Sequence, residues 1–504
     1  MAKKKAKNLA FGPIITIVII MIVVVLLSFI FSKMGITTTK SEIINGEIST
    51  VNIGVNNILS KDGINYFLSS IISGFKNLDA IYVFIIAMIG IGFADSSGLF
   101  KRVFKSAKKF KLSFIIILTL IAGCLVGGLG INSYAILLPL TGYIYKNLNK
   151  NPLVGIMTMF IALTIGQATG ILPTYLNQNL GSLTELSAIL SVDSNYTYKS
   201  SSMIYILISS LFLFVLFGKI IIDKYLIPKL PKMKNNEEIE ELEVEHNGLI
   251  KSSVAFLIML VILAYFVIPG LPFSGSLLGS GTTYLEKLLG DTAPFKEAYV
   301  FIFSLMLIIC GTIYGINAKK IKSFDDFTRN FSSCLSGTSL VFVIVFFMSQ
   351  LVTLVQWSNL DVFLTSALVN WLSTLEITGL GLILIYFLVI MLISILLPDS
   401  MSKWKIIAPI IIPLLMRANM SASFAQFIFT VSDGLGKSLS ILFPYTAILF
   451  GLIYKYTDSG DFGFIKVYKL ISPLIILFTI VWIVIIITWY VVGIPIGIGV
   501  LPSL

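Results

Sequence analysis

The chain has 504 residues, of which 57% are hydrophobic and only 12% are charged. Soluble domains carry roughly a quarter of charged residues, so this composition excludes an ordinary water-soluble protein and predicts one that crosses a membrane repeatedly. The net charge of +11 does not predict nucleic-acid binding, because the lysines cluster between apolar segments, where they indicate membrane orientation.

Few residues suit catalysis or metal binding. Cys124, Cys310 and Cys334 are isolated, without the pairing or CxxC spacing of a disulfide framework or a zinc site. The only histidine, His246, follows the acidic stretch Glu237–Glu245, which we interpret as part of a solvated linker. The sequence therefore predicts no cofactor and no histidine-based site.

Nine apolar segments, nearly or wholly free of charge, follow one another along the chain. Several approach or exceed the roughly 20 residues that cross a bilayer as a helix, whereas β-barrel strands would be short and alternating. The first is too long for a signal peptide and lacks a small-residue cleavage site, so we predict a retained helix. The segments are Ile14–Phe31, Ile81–Phe93, Ser113–Val126, Met203–Ile222, Val254–Ile268, Val300–Ile313, Leu340–Leu354, Leu380–Leu397 and Pro473–Val492.

Basic clusters predict the orientation. By the positive-inside rule, Lys101–Lys111, Lys219–Lys234 and Lys319–Arg329 lie in the cytoplasm with the amino-terminal lysines. The polar region Lys33–Asp79 then faces outward. Because Lys455–Lys469 is cytoplasmic and one apolar segment follows it, the carboxy terminus faces out. We predict a multi-pass protein of the bacterial cytoplasmic (inner) membrane with its amino terminus in the cytoplasm.

An acidic cytoplasmic linker, residues 231–248, divides the chain. Residues 1–230 form an amino-terminal transmembrane half and residues 249–504 a carboxy-terminal one. Two structural halves are common in transporters.

Each half has two stretches at membrane depth where Gly, Pro and polar residues interrupt the apolar pattern. Asn132 and Gln167 are 35 positions apart in the first half, and Asp399 and Asp433 are 34 apart in the second. Paired breaks indicate a substrate site near the middle of the membrane. The alternative is that the glycines only let neighbouring helices pack closely. The stretches are Gly127–Pro139, Gly166–Gly181, Pro398–Pro413 and Ser432–Pro444.

Several motifs resemble the AbgT family, the aminobenzoyl-glutamate transporters, over nearly the whole chain. Gly90–Leu99 (GIGFADSSGL) is similar to the family's GxGxAExxGL, and Gln356–Leu360 (QWSNL) to its WSN segment. Trp404–Pro413 resembles W-x3-AP-x3-P, and Trp489–Gly497 resembles WYxxGxPxG. Their order and spacing together make the resemblance specific.

The resemblance implies an all-α polytopic membrane protein with about nine transmembrane helices, two re-entrant helical hairpins, one in each half, and a homodimeric assembly in lipid. It also implies a secondary carrier of p-aminobenzoyl-glutamate, driven by protons or sodium, whose substrate path lies between the hairpins and the broken helices. Some family members are linked instead to export of p-aminobenzoate and sulfonamide-like compounds.

The chain departs from the family at the expected pore. Asn132 and Asn177 stand where the family has aspartates, and Thr430 stands where it has the Arg of Arg-x-x-Asp, while Asp433 keeps the acid. Ala422 and Ile441 replace two prolines, and Met401 replaces a serine. Because these substitutions change the side chains expected to line the pore, a different organic anion is an alternative substrate.

Asp433 is the strongest predicted site residue, because a carboxylate at membrane depth is costly unless it binds an ion, a proton or a cationic partner. Lys437 follows four positions later and would meet it on one helical face. Lys437 would then replace the missing arginine or anchor an anionic substrate. The alternative is an interfacial ion pair at a hairpin tip.

Other predicted binding residues lie in the same stretches. Trp404 offers an aromatic face, flanked by Lys403 and Lys405, or is an interfacial anchor. Polar groups either contact a ligand or only link helices. These are Ser400, Asp399, Asn132, Asn177 and Gln167.

A membrane enzyme and a channel are the two alternatives to a transporter. A membrane enzyme would need clustered acids, histidines or cysteines, and a channel would need a repeated filter or charge rings; neither pattern is present in the sequence. The absence of a GxxxxGK[ST] motif argues against an ATPase. The predicted partner is thus a small organic anion and not nucleic acid.

Overall fold

The structure is a computed structural model that describes residues 12–44, 46–231, 246–290, 292–457 and 464–504. Apart from one β-hairpin, its regular elements are helices. The first half holds α1 (Pro13–Met34), β1 (Thr37–Ile44), β2 (Glu47–Gly54), α2 (Lys61–Lys76), α3 (Asp79–Ser96), α4 (Leu99–Val103), α5 (Leu112–Gly127), α6 (Ser133–Asn147), α7 (Pro152–Thr164), α8 (Tyr175–Ile189) and α9 (Ile204–Ile221). The second holds α10 (His246–Val267), α11 (Tyr284–Leu289), α12 (Pro294–Asn317), α13 (Phe324–Ser333), α14 (Ser339–Ser358), α15 (Leu360–Ser373), α16 (Gly379–Leu396), α17 (Ser400–Arg417), α18 (Ala422–Leu439), α19 (Pro444–Lys455) and α20 (Phe464–Val492).

The helices confirm an all-α polytopic membrane fold. Among the described residues, eight helical segments are long and apolar enough to cross a membrane. A ninth crossing results if α18 and α19, which meet at 45°, form one broken span. α1 and α10 bury few of their apolar side chains, as expected of helices that face lipid.

Each half contains a helical hairpin. α5 and α6 turn back at residues 128–132, and the Asn147 amide at the end of α6 donates to Asp95 Oδ1 (2.8 Å), near the basic segment that precedes α5. α16 and α17 turn back at Leu397–Asp399, and both contact α15. α15 and α17 also contact β1. β1 precedes the span formed by α2 and α3, and the basic segment follows that span, so the two lie at opposite ends of it. The two hairpins therefore enter from opposite sides.

A break between two helices accompanies each hairpin. α7 is separated from α8 by residues 165–174, and α18 from α19 by residues 440–443. Since α17 contacts both α8 and α18, the broken elements of the two halves meet in the interior. Such breaks present helix ends to a buried site.

The irregular stretches are shorter than the sequence pattern predicted. Pro139 lies inside α6, and Asp433 lies inside α18 and not in non-helical backbone. The glycines beside Asp433 serve close packing instead. A Cβ at Gly434 would clash with the Thr164 carbonyl oxygen, and one at Gly436 with the Met391 carbonyl oxygen.

The polar region after α1 contains structure that the sequence pattern did not predict. β1 and β2 pair antiparallel from Thr37 opposite Gly54 to Ile44 opposite Glu47. β1 packs on α15 and α17, and the Asn370 amide donates to the Thr39 carbonyl oxygen over 2.7 Å. The β-hairpin therefore covers one end of the helical hairpin formed by α16 and α17.

The amino-terminal lysines and most of the predicted acidic linker lie outside the described residues, which resume at His246. α10 begins at that residue, so residues 246–248 of the predicted linker are helical. The division into two halves and the orientation in the membrane stay predictions.

Candidate functional site

Asp433 lies in the middle of α18, is fully buried and has four side-chain partners. Its Oδ1 is 2.5 Å from Lys403 Nζ, and its Oδ2 is 3.1 Å from Lys437 Nζ. Oδ2 also accepts hydrogen bonds from Ser400 Oγ (2.6 Å) and Gln167 Nε2 (2.9 Å). We call these five residues the Asp433 cluster. Its contacts compensate the cost of burying the carboxylate.

Two helices and one break between helices supply the cluster. α18 provides Asp433 and Lys437 one turn apart, α17 provides Ser400 and Lys403, and the break after α7 provides Gln167. The predicted pairing of Lys437 with Asp433 on one helical face is confirmed by the structure. The alternative of an interfacial pair at a hairpin tip is wrong, because Asp433 is mid-helix and Lys437 is only 4% exposed.

The sequence pattern indicates Lys403 only as a neighbour of Trp404, and the structure adds it to the cluster. It is fully buried, and its Nζ also donates to Ser394 Oγ (2.7 Å) and to the Leu397 carbonyl oxygen (2.8 Å). The missed signal was a lysine in an apolar segment at membrane depth, which requires an acidic partner there.

The cluster carries excess positive charge. Two lysines face one carboxylate, which leaves a net charge of +1 when all three are ionised. Lys437 Nζ also donates to Ser400 Oγ (2.7 Å) and Gln167 Oε1 (3.3 Å). In this closed arrangement every charge has partners, yet a second anion would be needed to neutralise the cluster.

Trp404 is fully buried, one residue after Lys403. Its indole packs on Phe429 with ring centroids 4.3 Å apart, and Nε1 donates to Thr184 Oγ1 over 3.1 Å. The Thr184 hydroxyl in turn donates to Gln426 Oε1 (2.6 Å). Phe429 thus occupies one face of the ring predicted to stack on an aromatic ligand, and a role for Trp404 in binding stays a prediction.

Asn177 extends this chain of hydrogen bonds toward α8. Gln426 Nε2 donates to the Asn177 backbone carbonyl oxygen over 3.0 Å. The Asn177 side chain is itself buried, with 1% exposure, and neither Nδ2 nor Oδ1 has a hydrogen-bond partner. An unsatisfied buried polar group costs about 1–3 kcal/mol, so this amide is a candidate ligand-binding group.

Asn132 and Asp399 do not join the Asp433 cluster. Asp399 caps α17 by accepting the Ser402 amide (2.7 Å), and Asn132 Oδ1 lies 3.4 Å from the Tyr445 hydroxyl. Both instead line a cavity of about 340 Å³ among the breaks of α2–α3, α16–α17 and α18–α19.

Known proteins resemble the chain over almost its entire length. It is 23% identical to the p-aminobenzoyl-glutamate transport protein of Escherichia coli (strain K12) over 98% of this chain and 94% of that protein. The Alcanivorax borkumensis YdaH transporter is 23% identical, with a TM-score of 0.49 over 97% of this chain and 100% of that one. Neisseria gonorrhoeae MtrF, described as one of a class of antimetabolite efflux pumps, is 20% identical, with a TM-score of 0.49 over 98% of each chain.

The profile of the "AbgT putative transporter family" matches residues 4–504, nearly the whole chain. This match confirms the resemblance carried by the sequence motifs and excludes the membrane-enzyme alternative. With the helical membrane fold and its broken elements, it establishes that the chain belongs to the AbgT family and is a membrane transporter.

Proposed function

We propose that the protein is an ion-coupled secondary active transporter of p-aminobenzoyl-glutamate, or of a related small carboxylated aromatic solute, in the bacterial cytoplasmic membrane. The full-length similarity to the Escherichia coli p-aminobenzoyl-glutamate transport protein motivates this substrate. The net positive charge of the buried Asp433 cluster is the observation that carries the proposal.

Lys437 is the anchor for a substrate carboxylate in this proposal. It is 4% exposed, whereas Lys403 is fully buried and held by three oxygen atoms. Opening the cluster frees Lys437 at lower cost, because Lys403 alone still neutralises Asp433. A carboxylate that pairs with Lys437 then removes the remaining positive charge.

Asn177 supplies a complementary feature for an amide-containing solute. A side-chain amide offers one acceptor and an NH₂ donor, which match the donor and acceptor of a benzoyl-amide group. Its two polar atoms are buried and unpaired. A ligand that satisfies both gains the hydrogen bonds that the protein alone does not make.

The covered carboxylate favours protons over sodium as the coupling ion. Both oxygens of Asp433 already contact ammonium groups, so a sodium ion there would have to displace a lysine. A proton, in contrast, needs no open coordination position among these oxygen atoms. An anion binds the cluster more tightly when the proton is bound than when it is absent. Because such coupling is reciprocal, the proton also binds more tightly when the anion is present.

Uptake of radiolabelled p-aminobenzoyl-glutamate into proteoliposomes tests this function, with an inward proton or sodium gradient imposed separately. We expect accumulation driven by the proton gradient, retained in the surface control Asp325→Asn and abolished in Asp433→Asn. Absence of uptake under both gradients would contradict the proposed substrate. Uptake driven only by sodium would retain the carrier and overturn proton coupling.

A further inference from the structure

A patch of lysines lies where α5 begins and α9 ends. The segment Lys101–Lys111 before α5 contains six basic residues and no acidic one, and a short π-helix, Ile222–Leu226, continues α9. The Ser113 hydroxyl in the first turn of α5 donates to Asp223 Oδ2 in this π-helix over 2.9 Å, so the two segments meet. The lysines that flank this contact along the chain are called the α5–α9 basic patch: Lys108, Lys109, Lys111, Lys219 and Lys224.

The patch has excess positive charge. Its one acidic neighbour, Asp223, pairs with Lys219 at 3.1 Å. The other four lysines make no ion pair within the described part of the chain. Asp95, which lies upstream at the end of α3, accepts the Asn147 amide instead. Five lysines and one aspartate leave a net charge of +4, so the patch attracts anions.

An apolar surface continues from the patch along both helices. The face of α5 that carries Ser113 presents the half-buried Ile117 one turn later, and the face of α9 that precedes Asp223 presents Leu216 two turns earlier. Leu216 is 55% exposed, and Phe212, one turn further from the patch, is 71% exposed. An exposed apolar strip therefore runs away from the lysines beside the contact between α5 and α9.

The charges begin where the apolar runs of both helices end. Residues 112–127 of α5 and 204–218 of α9 contain no charged side chain, whereas Lys111 directly precedes the first run and Lys219 directly follows the second. Since apolar helix surface lies in hydrocarbon and lysines lie at the level of the lipid headgroups, the patch is at the membrane boundary. A water-soluble anion contacts only the lysines there, while a lipid also covers the apolar strip.

We propose that the α5–α9 basic patch and the apolar strip beside it form a binding site for an anionic glycerophospholipid. The phosphodiester group pairs with the lysines that lack an ion pair, and an acyl chain lies along Ile117, Leu216 and Phe212. A zwitterionic phospholipid binds more weakly, because the patch repels its ammonium group. This site is separate from the Asp433 cluster and does not rest on the proposed anion transport.

Equilibrium binding of two phospholipids with identical acyl chains to the purified, delipidated full-length protein tests the site. Phosphatidylglycerol is anionic and phosphatidylcholine is zwitterionic, and native mass spectrometry counts the bound molecules of each. The wild type should bind phosphatidylglycerol at least about tenfold more tightly than phosphatidylcholine. In the double variant Lys109→Gln with Lys111→Gln, the affinity for phosphatidylglycerol should fall at least about tenfold, with that for phosphatidylcholine unchanged.

Lys322→Gln with Arg329→Gln is the matched control, because it removes two exposed charges from another basic segment, and it should bind like the wild type. Phosphatidylglycerol with a photoactivatable acyl chain should label wild-type peptides that contain Ile117 or Leu216, which tests the site even if the lysine variant does not fold.

Equal binding of the two lipids by the wild type, the result expected if the acidic segment Glu237–Glu245 occupies the lysines instead, would overturn the proposal. Labelling confined to other helices, unchanged phosphatidylglycerol affinity in the folded lysine variant, or an equal loss in both double variants would overturn it too.

Discussion

Lys437 lies one helical turn after Asp433 on α18, and Lys437 Nζ is 3.1 Å from Asp433 Oδ2 inside the protein. The resemblance to the AbgT family implies an arginine three positions before this aspartate, where this chain has Thr430. One of the two cations that accompany the buried acid thus comes from the following turn of the same helix, and its long side chain lies between Ser400 and Gln167.

Removing the charge of Lys437 should abolish anion transport with little damage to the fold. Lys437→Met keeps most of the apolar side chain, and Lys403 still neutralises Asp433. We expect uptake of p-aminobenzoyl-glutamate to fall at least about tenfold, the loss expected for one desolvated charge pair. The role of Lys437 is refuted if Lys437→Met transports normally while Asp433→Asn is inactive.

Removing Lys403 should mainly destabilise the protein. Lys403→Met leaves Ser394 Oγ and the Leu397 carbonyl oxygen without their donor, and leaves Asp433 paired with Lys437 alone. Breaking a buried ion pair costs about 3–5 kcal/mol. Thermal unfolding in detergent should show this loss, and the double variant Lys403→Met with Asp433→Asn should recover part of it. No recovery would contradict a dominant ion-pair contribution.

The Asn177 side chain should lower the stability of the protein and contribute to substrate binding. Replacing it with leucine, which is similar in size, removes two unsatisfied polar atoms that each cost about 1–3 kcal/mol. We expect Asn177→Leu to have a higher unfolding temperature than the wild type and to bind p-aminobenzoyl-glutamate at least about tenfold more weakly. Unchanged binding would show that the Asn177 amide does not contact the solute.

Gly434 should tolerate no side chain. A Cβ there meets the Thr164 carbonyl oxygen, which is backbone and cannot rotate away. Gly434→Ala should separate α18 from α7 and lower the unfolding temperature markedly. Gly54→Ala in β2 is the control, since its Cβ would meet no described atom nearer than 3.6 Å. Equal unfolding temperatures for the two variants would contradict this packing argument.

Membrane helices and their breaks were predictable from the sequence, because lipid requires long apolar segments and tolerates Gly, Pro and polar residues only where protein covers them. The contact between Asp433 and Lys437 was predictable from their spacing, since residues four positions apart share a helical face. Both inferences depend on periodicity within one segment.

Contacts between distant segments were not predictable in this way. Lys403 reaches Asp433 across 30 positions, and Gln167 reaches it across 266. Only the meeting of α17, α18 and the α7–α8 break brings these groups together. The β-hairpin after α1 was missed because its short polar strands, with Thr, Ser and Lys, resemble a solvated loop.

The central claim is that the positive Asp433 cluster recognises a carboxylate. Equilibrium binding of radiolabelled p-aminobenzoyl-glutamate and of its dimethyl ester to the purified protein tests it most directly. We predict at least about tenfold tighter binding of the acid by the wild type, with this preference lost in Lys437→Met and kept in Lys437→Arg. Equal binding of acid and ester by the wild type would contradict the claim.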